Sequence, residues 1–195
     1  MRRLPKLLPG TLTGEQRQLY DAITGGPRGQ RQSSLTDSGG GLEGPFNAML
    51  TQPVIGMALQ SVGAAVRYQG TLPARARELA ILIVAAHWDS DFEWHAHAAA
   101  GQAAGLSPEE LACVRDGRAL ELTDGVEAWT VRACRALVAR GDLDDAEYAA
   151  AVTALGESGV FELTTLVGYY ATLALQLRVF RVGLPAGSGD NGSTD

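Results

Sequence analysis

All three histidines of this 195-residue chain fall in one segment, His87-Trp-Asp-Ser-Asp-Phe-Glu-Trp-His-Ala-His97, where Asp89, Asp91 and Glu93 alternate with them. Histidine has the side-chain pKa nearest neutrality, and a neighbouring carboxylate tunes it further. Glu93 and His97 are four residues apart, so on a helix they share a face within contact range. A carboxylate so placed stabilises an imidazolium and orients its ring, which begins a proton-transfer pair. The same spacing also makes an ordinary surface ion pair, and spacing does not choose between them. His95 lies two residues from His97 and points elsewhere on a helix. Zinc on a helix wants His-Glu-x-x-His, which is absent, so no metal is expected.

Glu78 is the third acidic candidate. It interrupts the otherwise apolar run Ala74–Trp88, flanked by Arg75 and Arg77. It either closes a salt bridge at the mouth of that helix or, if two helices form a hairpin, approaches Glu93 and His97. Ser90, His87, Trp94 and Tyr169 are the candidate substrate contacts. For Trp94, His87 and Tyr169, packing is the competing role.

These residues need a helical scaffold. The sequence is rich in alanine and leucine with no period-two alternation, so the expected fold class is all-α. Thr13-Gly-Glu-Gln16 fits a capping box opening a first helix through about Ile23. Residues 24–45 are rich in Gly, Ser, Gln and Arg and are expected as a long flexible loop, a candidate lid or a mere connector. A helix restarts near Phe46, breaks at Pro53 and runs to about Tyr68. Ala74–Trp88 is apolar on nearly every side, which suits the centre of a bundle or a subunit boundary. Asp91–Ala104 follows until Gly105 stops it, and Ser107-Pro-Glu-Glu caps the next helix. Further helices fit Thr123–Arg140, Asp144–Leu155 and Ser158–Phe180. The last carries an apolar face through Phe161, Leu166, Tyr169, Tyr170, Leu173 and Leu177.

The formal charge is −6, from 16 basic and 22 acidic residues. Without a basic cluster beyond the first few residues, nucleic acid is not an expected partner. The longest apolar stretch, Leu79 to Ala86, is too short to span a bilayer, which takes about 20 residues. No hydrophobic signal core follows the basic N-terminus. Cys113 and Cys134 form neither a disulfide framework nor a metal motif. The expected location is the cytoplasm, with no membrane partner.

Arg-Glu-Leu-Ala-Ile-Leu-Ile-Val-Ala-Ala-His-Trp, then Phe-Glu-Trp-His-Ala-His, then Ala-Gly-Leu-Ser-Pro-Glu-Glu-Leu resemble the carboxymuconolactone decarboxylase family, also called alkylhydroperoxidase D-like. Leu-Thr-Gly-Glu-Gln-Arg-Gln-Leu-Tyr-Asp, Gly-Pro-Phe-Asn and Phe-Glu-Leu-Thr-Thr-Leu-Val-Gly-Tyr-Tyr extend the likeness from about Leu4 to Gly187. The resemblance implies an all-helical bundle with a central helical hairpin and a homotrimer or hexamer with sites near subunit boundaries. The peroxidase branch carries a glutamate, then Cys-x-x-Cys, then a histidine. On this sequence these fall on Glu78, Ser90, Glu93 and His97, so both cysteines are missing and thiol peroxidase activity is not expected.

The expectation is therefore a single domain over residues 1–187 with a disordered tail at 188–195. It would be a cofactor-independent lyase or isomerase acting on a small cyclic substrate, carboxylated or lactone-type. His97 would be the general acid/base, Glu93 and Glu78 its partners, and Ser90 a donor to substrate oxygen. The alternatives are a dehydratase or cyclase of a specialised pathway, and a noncatalytic oligomeric binding protein that keeps the fold.

Overall fold

Local chemistry starts and stops the helices where the sequence indicates. In the computed structural model, which describes residues 3–31 and 35–184, the Thr13 hydroxyl accepts from the Gln16 amide and the Gln16 side chain accepts from the Thr13 amide. That box opens α1 (Gly14–Gly25). Then come α2 (Pro27–Arg31), α3 (Pro45–Met49), α4 (Pro53–Tyr68), α5 (Ala74–His87), α6 (Asp91–Ala103), α7 (Pro108–Arg115), α8 (Gly125–Arg140) and α9 (Asp145–Phe180). Among the described residues there is no strand, only an isolated bridge between Thr36 and Leu42. The chain is all-α.

The chain divides into two compact units. The first runs to Tyr68 and resumes at Gln176. Here α4 crosses close to the α3 end, because a side chain at Gly56 would meet the Met49 carbonyl and Leu19. Buried Asn47 ties down the N-terminal segment, accepting from the Leu7 amide at 2.9 Å and donating to the Pro5 carbonyl at 3.0 Å. The stretch 24–45, expected as one loop, contains α2 and the bridged turn. Leu35 and Leu42 are buried there, and Lys6 pairs with Glu43 at 2.9 Å. Its polar composition hides these anchors. Residues 32–34 of that stretch, and the whole expected tail at 188–195, lie outside the described residues.

The second unit, Gln69–Leu175, is built around α5. Leu79, Ala80, Ile81, Leu82 and Val84 are completely buried, as the all-round apolar pattern requires. α6, α7 and α8 all pack on α5. The hairpin of α5 and α6 ends each helix in the same way. Ser90 N–H reaches the Ala85 carbonyl past Asp89, and Leu106 N–H reaches the Gly101 carbonyl past Gly105. Asp89 (φ 51°) and Gly105 (φ 98°) both take the left-handed conformation of such caps, which Asp tolerates better than most residues. At Gly101 a side chain would lie 2.8 Å from Leu106 and 3.3 Å from Leu82, so the missing Cβ lets α6 lie close to α5.

The start of α5 is fixed from two sides. The Glu162 carboxylate of α9 accepts from the Thr71 amide at 2.6 Å and the Leu72 amide at 3.2 Å, just ahead of the helix. Arg75 pairs with Glu110 of α7 and, at 2.9 Å, with Glu127 of α8.

α9 is two helical segments meeting at Gly156, whose backbone is not helical (φ 72°, ψ 165°), as the two expected helices require. It is also long and apolar enough, by length and composition, to cross a membrane, a test that a core helix also passes. Leu163, Leu166, Tyr169, Tyr170 and Leu173 are its buried face. Phe161 is not on that face, being 74% exposed. Five residues separate it from Leu166, which turns a helix roughly 140° away from the shared stripe.

The Arg75 hydrogen bond, opposed by burial and helped by the Ser107 amide, holds the Glu110 carboxyl below its ordinary 4.5. A lowered folded value contributes stability above the unfolded value, and that stability is lost as pH falls through the folded one. Urea titrations between pH 6 and 3 should show wild type losing more stability on acidification than Arg75→Met, and parallel losses would remove Glu110 from the account.

Candidate functional site: an imidazole between two carboxylates

One turn into α5, Glu78 is a buried acid in an apolar row, 3% exposed. Its arginine neighbours are engaged elsewhere: Arg75 with Glu110 and Glu127, Arg77 with the Leu72 carbonyl at 3.3 Å. Glu78 instead faces α6, and its Oε2 lies 2.6 Å from His97 Nδ1. The other ring nitrogen, Nε2, lies 3.5 Å from Glu93 Oε2, one helical turn back. Glu93 and His97 are 4% and 3% exposed. Both contacts expected from the sequence are therefore present, and the hairpin alternative for Glu78 holds, not the helix-mouth salt bridge. Nor is the Glu93–His97 pair a surface one.

The geometry has a chemical reading. A neutral imidazole has one N–H and one lone pair, whereas the protonated ring donates from both nitrogens. With an ionised carboxylate at each nitrogen, the imidazolium is the form that satisfies both partners. The shorter Glu78 contact fixes the ring's orientation. The longer Glu93 contact leaves Nε2 the looser of the two. Tyr170 of α9 closes the ring's flank, edge-on at 5.1 Å between centroids.

Ser90 occupies the N-cap position of α6 without capping it. Its hydroxyl is buried with no hydrogen-bond partner, an unsatisfied state that native proteins rarely leave without a reason. Ser90 lines a cavity of about 80 Å³ with Ala85, Asp89, Trp94 and Arg115. Asp91 lines it as well, and at roughly 30 Å³ per water the cavity has room for a small polar group.

The other candidates separate. Trp94 lines the same cavity as Ser90, with the Arg115 guanidinium 4.7 Å above its ring. His87 is exposed and lines a different, larger cleft. Tyr169 is buried and touches Tyr170, 5.2 Å between centroids, so it stands one ring behind His97. His95 is exposed. Among the described residues no group of three or more His, Cys, Asp or Glu is arranged to hold a metal ion. Sequence reasoning missed Arg115, which comes from α7 and carries no local signal. It also named Tyr170 only as an apolar-face residue.

Sulfur is placed away from this chemistry. Both cysteines are free and buried. Burial pushes the Cys134 thiol up to about 12, with Arg135 opposing. Desolvation also raises Cys113, against the opposing charge of Arg118.

Residues 53–139, which carry this hairpin, match the family model of the Carboxymuconolactone decarboxylase family. Over that stretch the chain is similar to this family. No curated protein sequence matches the chain. Among solved structures it is similar to the alkylhydroperoxidase AhpD core of an uncharacterized peroxidase-related protein from Ralstonia eutropha JMP134. The TM-score is 0.70 at 13% identity, covering 96% of this chain and 94% of that one. The fold is thus that of the AhpD core.

Cys134 should resist iodoacetamide at pH 8 in the native protein and react once urea unfolds it. Rapid native labelling, read by peptide mass, would contradict the burial described above.

Proposed function

We propose that the protein is a cofactor-independent lyase or isomerase of the decarboxylase type, acting on a small cyclic substrate that is carboxylated or lactone-like. One observation carries this reading: a buried imidazole with a carboxylate at each ring nitrogen. In it, Glu78 keeps a proton on Nδ1 and holds the ring, so Nε2 exchanges the proton, with Glu93 beside it. Ser90 donates to a substrate oxygen, and Trp94 forms the wall of the cavity.

Decarboxylation without a metal or pyridoxal needs an electron sink within the substrate, such as an unsaturated lactone. The carbon–carboxylate bond breaks, carbon dioxide leaves, and its bonding electrons pass into that sink. His97 then delivers the proton that forms the new carbon–hydrogen bond, and solvent restores it. General acid catalysis is worth about 10²–10⁴-fold, so positioning and electrostatics supply the remainder. Dehydration, cyclisation and epimerisation would use the same pair.

Thiol peroxidase chemistry is no part of this reading, because Ser90 and Glu93 stand where that branch has its cysteines and neither buried thiol lies in the site. A second reading, a noncatalytic binding protein that keeps the bundle, draws on the low exposure of all three groups (3–4%). We further propose a homotrimer or hexamer. Val54, Ile55 and Phe161, 70%, 62% and 74% exposed, are apolar surface that such an assembly would cover. A cytoplasmic location is supported by the two unpaired cysteines.

Turnover of small unsaturated ring carboxylates should fall about 10²–10⁴-fold in His97→Gln and stay within about twofold in His95→Gln. Equal effects in the two variants would refute the assignment, and absence of turnover across the panel would favour the binding protein. Hydroperoxide consumption with added dithiol should be at background and unchanged in Cys113→Ala. Light scattering reads the assembly, and a monomer would sink the oligomer proposal.

A further inference from the structure

A second concavity shares Arg115 with the Ser90 cavity. It is a cleft of about 400 Å³ between α5, α7, α8 and the turn after α7, within the roughly 300–1,000 Å³ usual for small-molecule sites. Its floor is apolar: Ile83 and Ala86 from α5, Val114 from α7 and Val138 from α8. Two guanidiniums border it, Arg115 and Arg135. The lining also includes exposed His87 and one acid, Asp116, which is already paired with Arg118 at 3.2 Å.

Neither arginine is held in a buried ion pair, although Arg115 also lies over the Trp94 ring. Arg135 donates to the Arg118 backbone carbonyl at 2.5 Å, a neutral partner that leaves its charge uncompensated. Arg115 pairs with Asp91 at 3.2 Å, but the two side chains are 45% and 71% exposed, and such surface pairs hold weakly. A protein of net charge −6 thus carries a cleft whose border is positive and whose floor is apolar. The cleft adjoins the small Ser90 cavity, since Ala86 and Arg115 line both. The unpartnered Ser90 hydroxyl there is a second polar group awaiting an acceptor.

We propose that this cleft binds an amphipathic organic anion, a carboxylate on an apolar body larger than a single small ring. The body lies on Ile83, Val114 and Val138, and the carboxylate meets Arg135 and Arg115. The site is separate from proton transfer at His97, and its occupancy requires no turnover.

The test is calorimetric titration of the intact protein with 2-naphthoate and with its uncharged analogue, 2-naphthamide. Naphthoate should bind and the amide should bind about tenfold more weakly or not at all, as expected when charge-assisted hydrogen bonds are lost. Arg135→Gln should weaken naphthoate by about tenfold, Arg135→Lys by less, and Val138→Trp should abolish binding by filling the floor. Circular dichroism confirms folding of each variant. Should Arg135→Gln not fold, the acid–amide comparison on the unaltered protein and Val138→Trp decide. Equal affinity for acid and amide, no binding of naphthoate at millimolar concentration, or unchanged binding in folded Val138→Trp overturns the proposal.

Discussion

The interaction on which the second unit turns is the contact of His97 with Glu78, one helix to the next across a hairpin. Moving a carboxylate or an imidazolium out of water costs several kcal/mol per ion even after relaxation. Three ionisable groups at 3–4% exposure therefore require each other. Removing one member of such a buried set typically costs about 3–5 kcal/mol, because the others are left uncompensated. The hairpin supplies what the set demands. Gly101 lets α6 come close, Leu82 and Leu106 seal the gap, and the two left-handed caps at Asp89 and Gly105 fix where α6 starts and stops.

Glu78 reaches His97 across the hairpin although its own helix carries two arginines beside it. Arg75 and Arg77 sit three and one residues before it, and either would be a natural partner on an exposed helix. Arg75 is instead drawn outward by Glu110 and Glu127, from two other helices. Those acids serve double duty, since Glu110 also closes the capping box of α7 by accepting from the Ser107 amide. The local signal that starts α7 and the ion pair that holds Arg75 thus share one carboxylate. This is coupling of secondary structure to site geometry through a single side chain.

What the sequence disclosed follows from range. Caps, proline positions and the four-residue spacing of Glu93 and His97 are local, and each appears in the structure at the expected place. The central position of α5 was legible because an all-round apolar helix has no other home. Phase over longer distances was less secure: Phe161 was assigned to a face that it leaves by more than a quarter turn. Contacts set by tertiary packing left no trace. Arg115 reaches the Ser90 cavity from α7, and Glu162 caps the approach to α5 from about ninety residues away. For Glu78, spacing allowed two kinds of partner, and only the structure shows Arg75 and Arg77 bonded elsewhere and His97 beside the carboxylate.

By its resemblance to the peroxidase branch, the sequence carries Ser90 and Glu93 where that branch has its cysteines, so the residues at the α6 entrance bear on the chemistry proposed for this chain. Ser90 and Glu93 cannot cycle between thiol and disulfide. The cysteines that do exist are placed where a thiolate is suppressed, Cys134 with its thiol pushed up to about 12 by complete burial. A nucleophilic thiolate needs a lowered pKa and access, and Cys134 has neither. A glutamate at the position that the resemblance gives to the second cysteine would also change the electrostatics around the histidine. A thiol there would be neutral or would give up its proton to become the nucleophile, whereas an ionised Glu93 beside Nε2 stabilises a ring that carries a proton on that nitrogen. In the proposed chemistry, the substitution that removes the redox centre therefore also supplies the charge that loads the acid.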